Sequence, residues 1–192
     1  MTSDQTTTRS YAVLAVLTLA MVATRYHHFG DALHLPDASL AVFFIAGASI
    51  ASAWVFPVLL LEAGAIDWLA TSVGGVSDWC LSPAYWFLIP TYACLWFGGR
   101  WYAQRHEYTA QTLLRLAGSV FVAASLAFLI SNGSFYALSG RFPDLSWTEY
   151  SARVAQYYLP YVLTACAYVA TTVVAVAGWK ALTRLRARTP AA

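Results

Sequence analysis

The amino-acid sequence predicts an all-α membrane protein, with six transmembrane helices in a single domain over residues 1–192. Composition is the first indication, because 59% of the residues are hydrophobic and 10% are charged, whereas a soluble domain carries charge on about 25%. The second is the recurrence of apolar runs long enough to cross a hydrocarbon core of about 30 Å as helices. The third is the uneven distribution of lysine and arginine, which fits six spans better than five.

The six predicted spans cover approximately 10–26, 38–56, 57–73, 83–101, 112–131 and 157–181. The first follows a single arginine, Arg9, and has no clear A-x-A cleavage site, so we expect it to be retained rather than removed as a signal peptide. The stretch 38–73 contains no polar loop, and Pro57 is expected to divide it into two helices. Glu62 then lies towards the turn, at an interface.

Most of the basic residues fall on one side of this arrangement. These are Arg9, Arg100, Arg105, Arg115, Lys180, Arg184, Arg186 and Arg188. If 38–73 formed one helix, the middle and C-terminal clusters would lie on opposite sides. Because positive residues favour the cytoplasmic side of a membrane, we expect both termini in the cytoplasm. Three segments then face outwards: 26–38, 72–82 and 131–158.

The predicted outer segments hold most of the chemically versatile side chains outside the helices. They contain Cys80, the histidines His27, His28 and His34, and most of the acidic residues. The segment 131–158 is longer than an ordinary connection and is expected to cover a site as a lid. This asymmetry indicates a protein that captures a ligand on its outer face.

Cys80 is the only cysteine in a predicted outer segment. Cys94 and Cys166 lie within predicted helices, where cysteine usually packs as a small hydrophobe. An unpaired thiol in an oxidising compartment is expected to serve as a ligand or a nucleophile. The alternative is that Trp79 and Leu81 bury the thiol as packing.

The residues around Cys80 suggest a defined turn. Gly74 and Gly75 permit a sharp change of direction, and Pro83 is expected to start the fourth span. Tyr85 falls in the first turn of that span. We therefore expect Tyr85 to face the same pocket as Cys80.

Asp67 lies inside the third predicted span, where an ionised carboxylate costs at least about 2.5 kcal/mol. Such a residue usually faces a cavity or a partner. Arg153, just before the sixth span, is the expected partner. The alternative is a structural ion pair that contacts no ligand.

The histidines suggest a second kind of site. His27, His28 and His34 could bind zinc together with Cys80, but their spacing matches no compact zinc motif. An interfacial histidine that only forms hydrogen bonds is commoner. We keep His28 as an expected contact beside the ligand of Cys80.

Several classes of function are excluded by the sequence. It contains no Walker motif for nucleotide hydrolysis and no C-x-x-C of a membrane thiol oxidoreductase. It also has no basic stripe that would indicate nucleic acid as a partner. The outer face holds most of the chemically versatile side chains, and the inner connections are short or simply basic. This asymmetry is more typical of a binding protein than of a channel.

Two stretches, RYHHFGDALHLPDASLAVFFIAG and DWCLSPAYWFLIP, resemble the BtuM family. This family comprises cobalamin (vitamin B12)-specific S-components of energy-coupling factor transporters in the bacterial inner membrane. The resemblance covers essentially the whole chain and implies an S-component-like six-helix bundle with an outward-facing cobalamin pocket. It implies Cys80 as the cobalt ligand, and His28, Asp67, Tyr85 and Arg153 as the surrounding contacts. It also implies docking on a module of two ATPases and a transmembrane coupling subunit.

The role that the resemblance implies for Cys80 agrees with coordination chemistry, because a soft thiolate is a competent axial ligand of cobalt. Such a ligand is expected to displace cyanide from cyanocobalamin. One feature departs from the family, since its Ala-x-x-x-Ala pair is absent from the first span. Ala20 and Thr24 are the nearest substitute there, and Gly47 with Ala51 gives the same spacing in the second span.

Two other functions fit the residues. The first is a thiol- or metal-dependent membrane enzyme that uses Cys80 and His28 on the outer face. The second is an S-component for another micronutrient, in which Cys80 is merely packed.

Overall fold

The computed structural model describes residues 3–26, 35–107 and 109–187, except for the side chains of residues 3–6 and Cys80. These residues form six α-helices and no strand, which confirms the all-α prediction. The helices are α1 (Ser3–Arg25), α2 (Ser39–Ser49), α3 (Val55–Ser72), α4 (Leu88–Ala103), α5 (Ala110–Leu138) and α6 (Trp147–Arg186). Two short 3₁₀ turns, Asp78–Cys80 and Pro83–Phe87, connect α3 to α4.

Among the described residues, four helices are long and apolar enough to cross a membrane. The segments that meet this condition are Thr7–Arg25, Val55–Ser72, Ala110–Leu138 and Trp147–Arg186. Large apolar side chains such as Leu61 and Leu114 are exposed on the surface, as lipid-facing residues would be. The prediction of six spans is not confirmed, because α2 has 11 residues and extends for only about 16 Å.

The predicted division of 38–73 into two helices is confirmed. The break covers residues 50–54, so Pro57 lies in the first turn of α3 rather than between the helices. Proline is tolerated there because the first amide groups of a helix have no partner within it. The position expected for Glu62 is wrong, since it lies well inside α3, where it accepts a hydrogen bond from Thr18 at 3.1 Å.

The connection between α5 and α6 is much shorter than predicted. It covers residues 139–146, so the long lid over 131–158 is wrong. The helix α6 begins early because the Ser146 side chain accepts a hydrogen bond from the Glu149 amide, as an N-cap does. The helix α5 is followed by Gly140, whose φ of 71° suits the end of a helix.

The first three helices alternate in direction. Along α1 and α3 the contacts advance together, from Thr18 with Glu62 to Arg25 with Asp67, so these two helices are parallel. The helix α2 runs in the opposite direction, since its first residue, Ser39, contacts Arg25 at the end of α1.

The last three helices continue this alternation. In α4, Tyr92 contacts Arg25 near the start of the helix, and Arg100 donates to the Ala51 carbonyl near its end. The helix α6 returns along α5, because Tyr136 meets Ser146 at the connection. The six helices therefore run alternately up and down.

This arrangement gives the bundle two different ends. We call the end with the 50–54 and 104–109 connections the basic end, since Arg9, Arg100 and Lys180 lie there. We call the opposite end, with residues 35–38, 73–87 and 139–146, the Cys80 end. Those of the eight lysine and arginine residues listed above that the structure describes thus lie at one end of the bundle. This agrees with the alternating helix directions expected from the sequence.

All six helices contribute to the core, and α2 and α4 pack very closely within it. A Cβ atom on Gly47 would lie 2.2 Å from the Trp96 carbonyl oxygen, and one on Gly99 would lie 2.0 Å from that of Phe44. Phe43 stacks on Tyr92 with ring centroids 4.2 Å apart. This packing fixes the start of α4, and therefore Tyr92, beside the end of α1.

Candidate ligand-binding site

Arg25, the last residue of α1, is the centre of a buried polar cluster at the Cys80 end. Its side chain donates from Nε to Asp67 Oδ1 at 2.8 Å and from Nη2 to Asp67 Oδ2 at 2.6 Å. Both residues are 3% exposed. This two-point geometry is the strongest arrangement of an arginine with a carboxylate.

The remaining nitrogen of Arg25 links two further elements. Nη1 donates to Tyr92 Oη at 2.6 Å, to Ser39 Oγ at 3.0 Å and to Asp37 Oδ2 at 3.1 Å. One guanidinium therefore joins α1, α2, α3, α4 and the segment before α2. Since a lone buried charge is very costly, these contacts are what allow Arg25 and Asp67 to lie in the interior.

Tyr85 also binds Asp67. Its hydroxyl donates to Oδ2 at 2.7 Å, and this bond connects the Pro83–Phe87 turn to α3. Pro83 occupies the first position of that turn, as its missing amide hydrogen favours. Asp67 and Tyr85, two of the site residues predicted from sequence, therefore lie in direct contact.

Cys80 ends the 3₁₀ turn Asp78–Cys80, close along the chain to Tyr85. The turn is stabilised by Ser77, whose hydroxyl accepts a hydrogen bond from the Trp79 amide at 3.2 Å. Before it, Gly75 has a φ of 68°, a left-handed backbone conformation that agrees with the sharp turn predicted at this glycine. The Cys80 side chain and His27, His28 and His34 lie outside the described residues.

The Cys80 turn is held against the connection between α5 and α6. The guanidinium of Arg141 lies 4.6 Å from the centre of the Trp79 ring. A cation over an aromatic face at this distance is attractive. The residue next to Cys80 is thus attached to the tip of the α5–α6 hairpin.

Arg153 does not form the predicted ion pair with Asp67. Its guanidinium lies among aromatic rings, 4.6 Å from the centre of Phe142, 5.3 Å from Tyr157 and 5.8 Å from Phe135. Asp67 is instead paired with Arg25. The Nε atom of Arg153 is buried and has no hydrogen-bond partner, so it can donate to an additional group.

Sequence reasoning missed Arg25. The signal that could have found it is a charge of opposite sign to Asp67, at the end of a neighbouring apolar helix on the same side of the membrane. The sequence favours Arg153 because it lies in a predicted outer segment, just before the sixth predicted span. The register of α1 against α3 decides between the two arginines, and that register depends on long-range packing.

The described residues contain no cluster of three or more histidine, cysteine or acidic side chains suited to a metal ion. Cys94 and Cys166 lie in α4 and α6 as half-buried free thiols. What the cluster offers is a rigid set of polar groups: one guanidinium, two carboxylates and two phenol groups. These groups bond to one another inside the bundle, so the cluster fixes the position of Tyr85, whose side chain is only partly buried.

Comparison of the sequence with protein-family models and with the curated proteins found no match.

Proposed function

We propose that the chain is a membrane protein for cobalamin uptake that binds the vitamin at the Cys80 end, with the Cys80 thiolate as axial ligand of the cobalt. The observation that carries this proposal is the contact between Asp67 and Tyr85, 2.7 Å apart, at the end of the bundle where the Cys80 turn lies. These two residues are 18 positions apart in the sequence, and the packing of the Pro83–Phe87 turn against α3 brings them into contact. A polar pair near a turn that carries a cysteine suits a ligand with both a metal and many amides.

The groups around the proposed pocket match the parts of cobalamin. Tyr85, which the buried Asp67 holds in place, is suited to the amide groups at the edge of the corrin, and His28 is proposed as a further contact. The unpaired Nε of Arg153 is suited to the phosphate of the nucleotide loop, since arginine binds phosphate strongly. Aromatic rings beside Arg153 offer flat apolar surfaces for the macrocycle.

The proposed reaction at cobalt is a ligand exchange. The Cys80 thiol loses its proton, a sulfur–cobalt bond forms, and the cobalt–cyanide bond of cyanocobalamin breaks. Cyanide leaves with a proton as hydrogen cyanide. The oxidation state of cobalt does not change, so no reductant is required. Binding to the metal favours the thiolate over the thiol.

The proposed orientation places the basic end in the cytoplasm of a bacterial cell, following the positive-inside rule. All six helices then serve as spans of the inner membrane, with both termini cytoplasmic and the Cys80 end outwards. The short α2 crosses the membrane only together with the non-helical residues 35–38 and 50–54 on either side of it. In this orientation cobalamin enters the site from outside the cell.

A coupling module of two ATPases and a transmembrane subunit is a proposed partner, but it would need an unusual docking surface. Thr24 accepts a hydrogen bond from the Ala38 amide within the bundle. Gly47 faces the Trp96 backbone, and Ala51 lies beyond the end of α2. Neither small-residue pair is therefore a free helix face for the close approach of another helix.

The proposal is tested by titrating the purified chain with cyanocobalamin and recording the cobalt absorption spectrum. We expect stoichiometric binding, a shifted spectrum and release of free cyanide. In Cys80→Ser the shift and the cyanide should be lost while helicity is kept. Cys94→Ser is the matched control and should behave as the parent chain.

The other functions are outcomes of the same experiment. Zinc in an elemental analysis, together with no binding of cobalamin, would favour a metal-dependent enzyme. Tight binding of biotin or riboflavin instead of cobalamin would favour another micronutrient. An unchanged spectrum in Cys80→Ser would remove this residue from the metal.

A further inference from the structure

Glu62 is an acidic residue within the bundle that the proposed cobalamin site does not use. It lies about 10 Å along α3 from the start of that helix. The helix is one of the apolar segments that are long enough to cross a membrane, Val55–Ser72. Glu62 therefore lies inside the hydrocarbon region, where an acidic side chain is costly and usually serves a function.

The two carboxyl oxygens of Glu62 have different surroundings. Oε2 accepts a hydrogen bond from the Thr18 hydroxyl of α1 at 3.1 Å. Oε1 is buried and has no hydrogen-bond partner among the described residues. The carboxyl group thus joins α1 to α3 through one oxygen, and its other oxygen is enclosed by the bundle.

The ionisable groups on the helices around α3 have partners of their own. Arg25 of α1 pairs with Asp67 at 2.6 Å and donates to Tyr92 of α4. Arg100 of α4 donates to a backbone carbonyl oxygen at the basic end. The helix α2 contains no titratable side chain. The hydrogen bond that Glu62 accepts comes from a neutral hydroxyl group.

These surroundings suit a neutral carboxylic acid better than a carboxylate. A buried charge is tolerated when a counter-charge and several hydrogen bonds compensate it, as they do at Asp67. Glu62 has one bond to a hydroxyl. An uncharged polar group with an unmade hydrogen bond costs far less in an apolar interior than an unpaired charge does.

We propose that Glu62 is a proton-binding site within the membrane, where its carboxyl group is held as the neutral acid at neutral pH. Oε2 is the carbonyl oxygen that accepts from Thr18, and Oε1 carries the proton. Glu62 lies closer to the basic end of α3 than to the Cys80 end. The proposal is therefore independent of cobalamin binding, and either can fail without the other.

The test treats the purified full chain with the hydrophobic reagent dicyclohexylcarbodiimide at neutral pH and maps the modified peptides by mass spectrometry. A carboxylic acid gives its proton to a carbodiimide nitrogen, and its oxygen bonds to the central carbon. The acyl group then moves from oxygen to nitrogen and forms a stable N-acylurea, so no atom is lost. We expect Glu62 to carry one molecule of the reagent, and Glu62→Gln to lose this modification.

The matched control is Glu107→Gln, which removes an exposed carboxylate that pairs with Arg115 at 3.3 Å. Its modification at Glu62 should equal that of the parent chain. Glutamine has nearly the shape of the neutral acid and can also accept from Thr18, so Glu62→Gln should keep its helicity. If that variant failed to fold, peptide mapping of the parent chain would still identify the modified residue.

Infrared spectroscopy detects the same proton without depending on access of the reagent. The carbonyl band of a protonated carboxyl group should be present in the parent chain at neutral pH, kept in Glu107→Gln and lost in Glu62→Gln. Modification confined to exposed carboxylates, together with no band that depends on Glu62, would overturn the proposal. Protection of Glu62 by sodium ions at constant pH would also overturn it, because the oxygen would then belong to a cation site.

Discussion

Arg25 is the side chain on which the Cys80 end depends. It is buried at the end of α1, and its three guanidinium nitrogens donate to groups from α2, α3, α4 and the segment before α2. A lysine has a single ammonium group and could not make the same set of contacts. We infer that Arg25 positions Asp67, and through it Tyr85, rather than contacting a ligand itself.

The first prediction concerns the stability of this cluster. Arg25→Met should lower the apparent free energy of unfolding by about 3–5 kcal/mol, because the Asp67 carboxylate would remain buried without its counter-charge. The measurement is thermal unfolding in detergent. Arg184→Met, at an exposed position of α6, is the control and should change stability by about 0.5 kcal/mol or less.

A second variant separates charge pairing from simple loss of packing. The double variant Arg25→Met/Asp67→Asn should recover part of the stability lost in Arg25→Met, because no unpaired carboxylate remains at position 67. If Arg25→Met were as stable as Arg184→Met, the cluster would not carry the role assigned to it.

At this scale the sequence allowed some contacts to be predicted and not others. Asp67 was identifiable because a carboxylate in an apolar helix needs a partner, and Tyr85 because a proline placed it at the start of a helix. The identity of the partner was not identifiable. Arg25 and Arg153 both lie near the proposed outer face, and only the packing of α1 against α3 distinguishes them.

The contact between α2 and α4 is the main determinant of packing at the level of elements. Gly47 and Gly99 allow the two backbones to approach so closely that a single methyl group would collide with a carbonyl oxygen. Small residues at a helix interface commonly serve this purpose in membrane proteins. The approach also places Tyr92 against Arg25.

The second prediction follows from this contact. Gly99→Ala should destabilise the protein by about 1–3 kcal/mol, as overpacking does, even though alanine favours helices. Gly118→Ala in α5 is the matched control, since its Cβ would meet no atom within 4 Å. That variant should be neutral or slightly stabilised, and equal thermal midpoints for the two variants would contradict the packing described.

Apolar runs in the sequence predicted which segments form helices, but they did not always predict where a helix begins or ends. The residues after 146 are polar and aromatic, and hydropathy alone treated them as a loop. Ser146 followed by Glu149 is the capping-box pattern that marks the start of α6. In the same way, Pro57 suggested a break in 38–73, although proline belongs inside the first turn of the following helix.

The whole molecule is polarised along its length. Most of the lysine and arginine residues lie at the basic end, whereas the buried cluster of Arg25, Asp67 and Tyr85 lies at the other end with the Cys80 turn. The alternation of charges along the sequence predicted this separation, because each apolar helix reverses the direction of the chain. Whether α2 and α4 span a membrane could not be derived in the same way, since both helices are short.

The most direct test of the central claim is the accessibility of Cys80 to a membrane-impermeant maleimide in sealed, right-side-out vesicles. The chain should carry Cys94→Ser and Cys166→Ser so that only one thiol can react. We predict labelling from the outside, and protection from labelling by bound cobalamin, because the same sulfur would be bonded to cobalt. Labelling only after the vesicles are opened, or labelling that cobalamin does not reduce, would contradict the account.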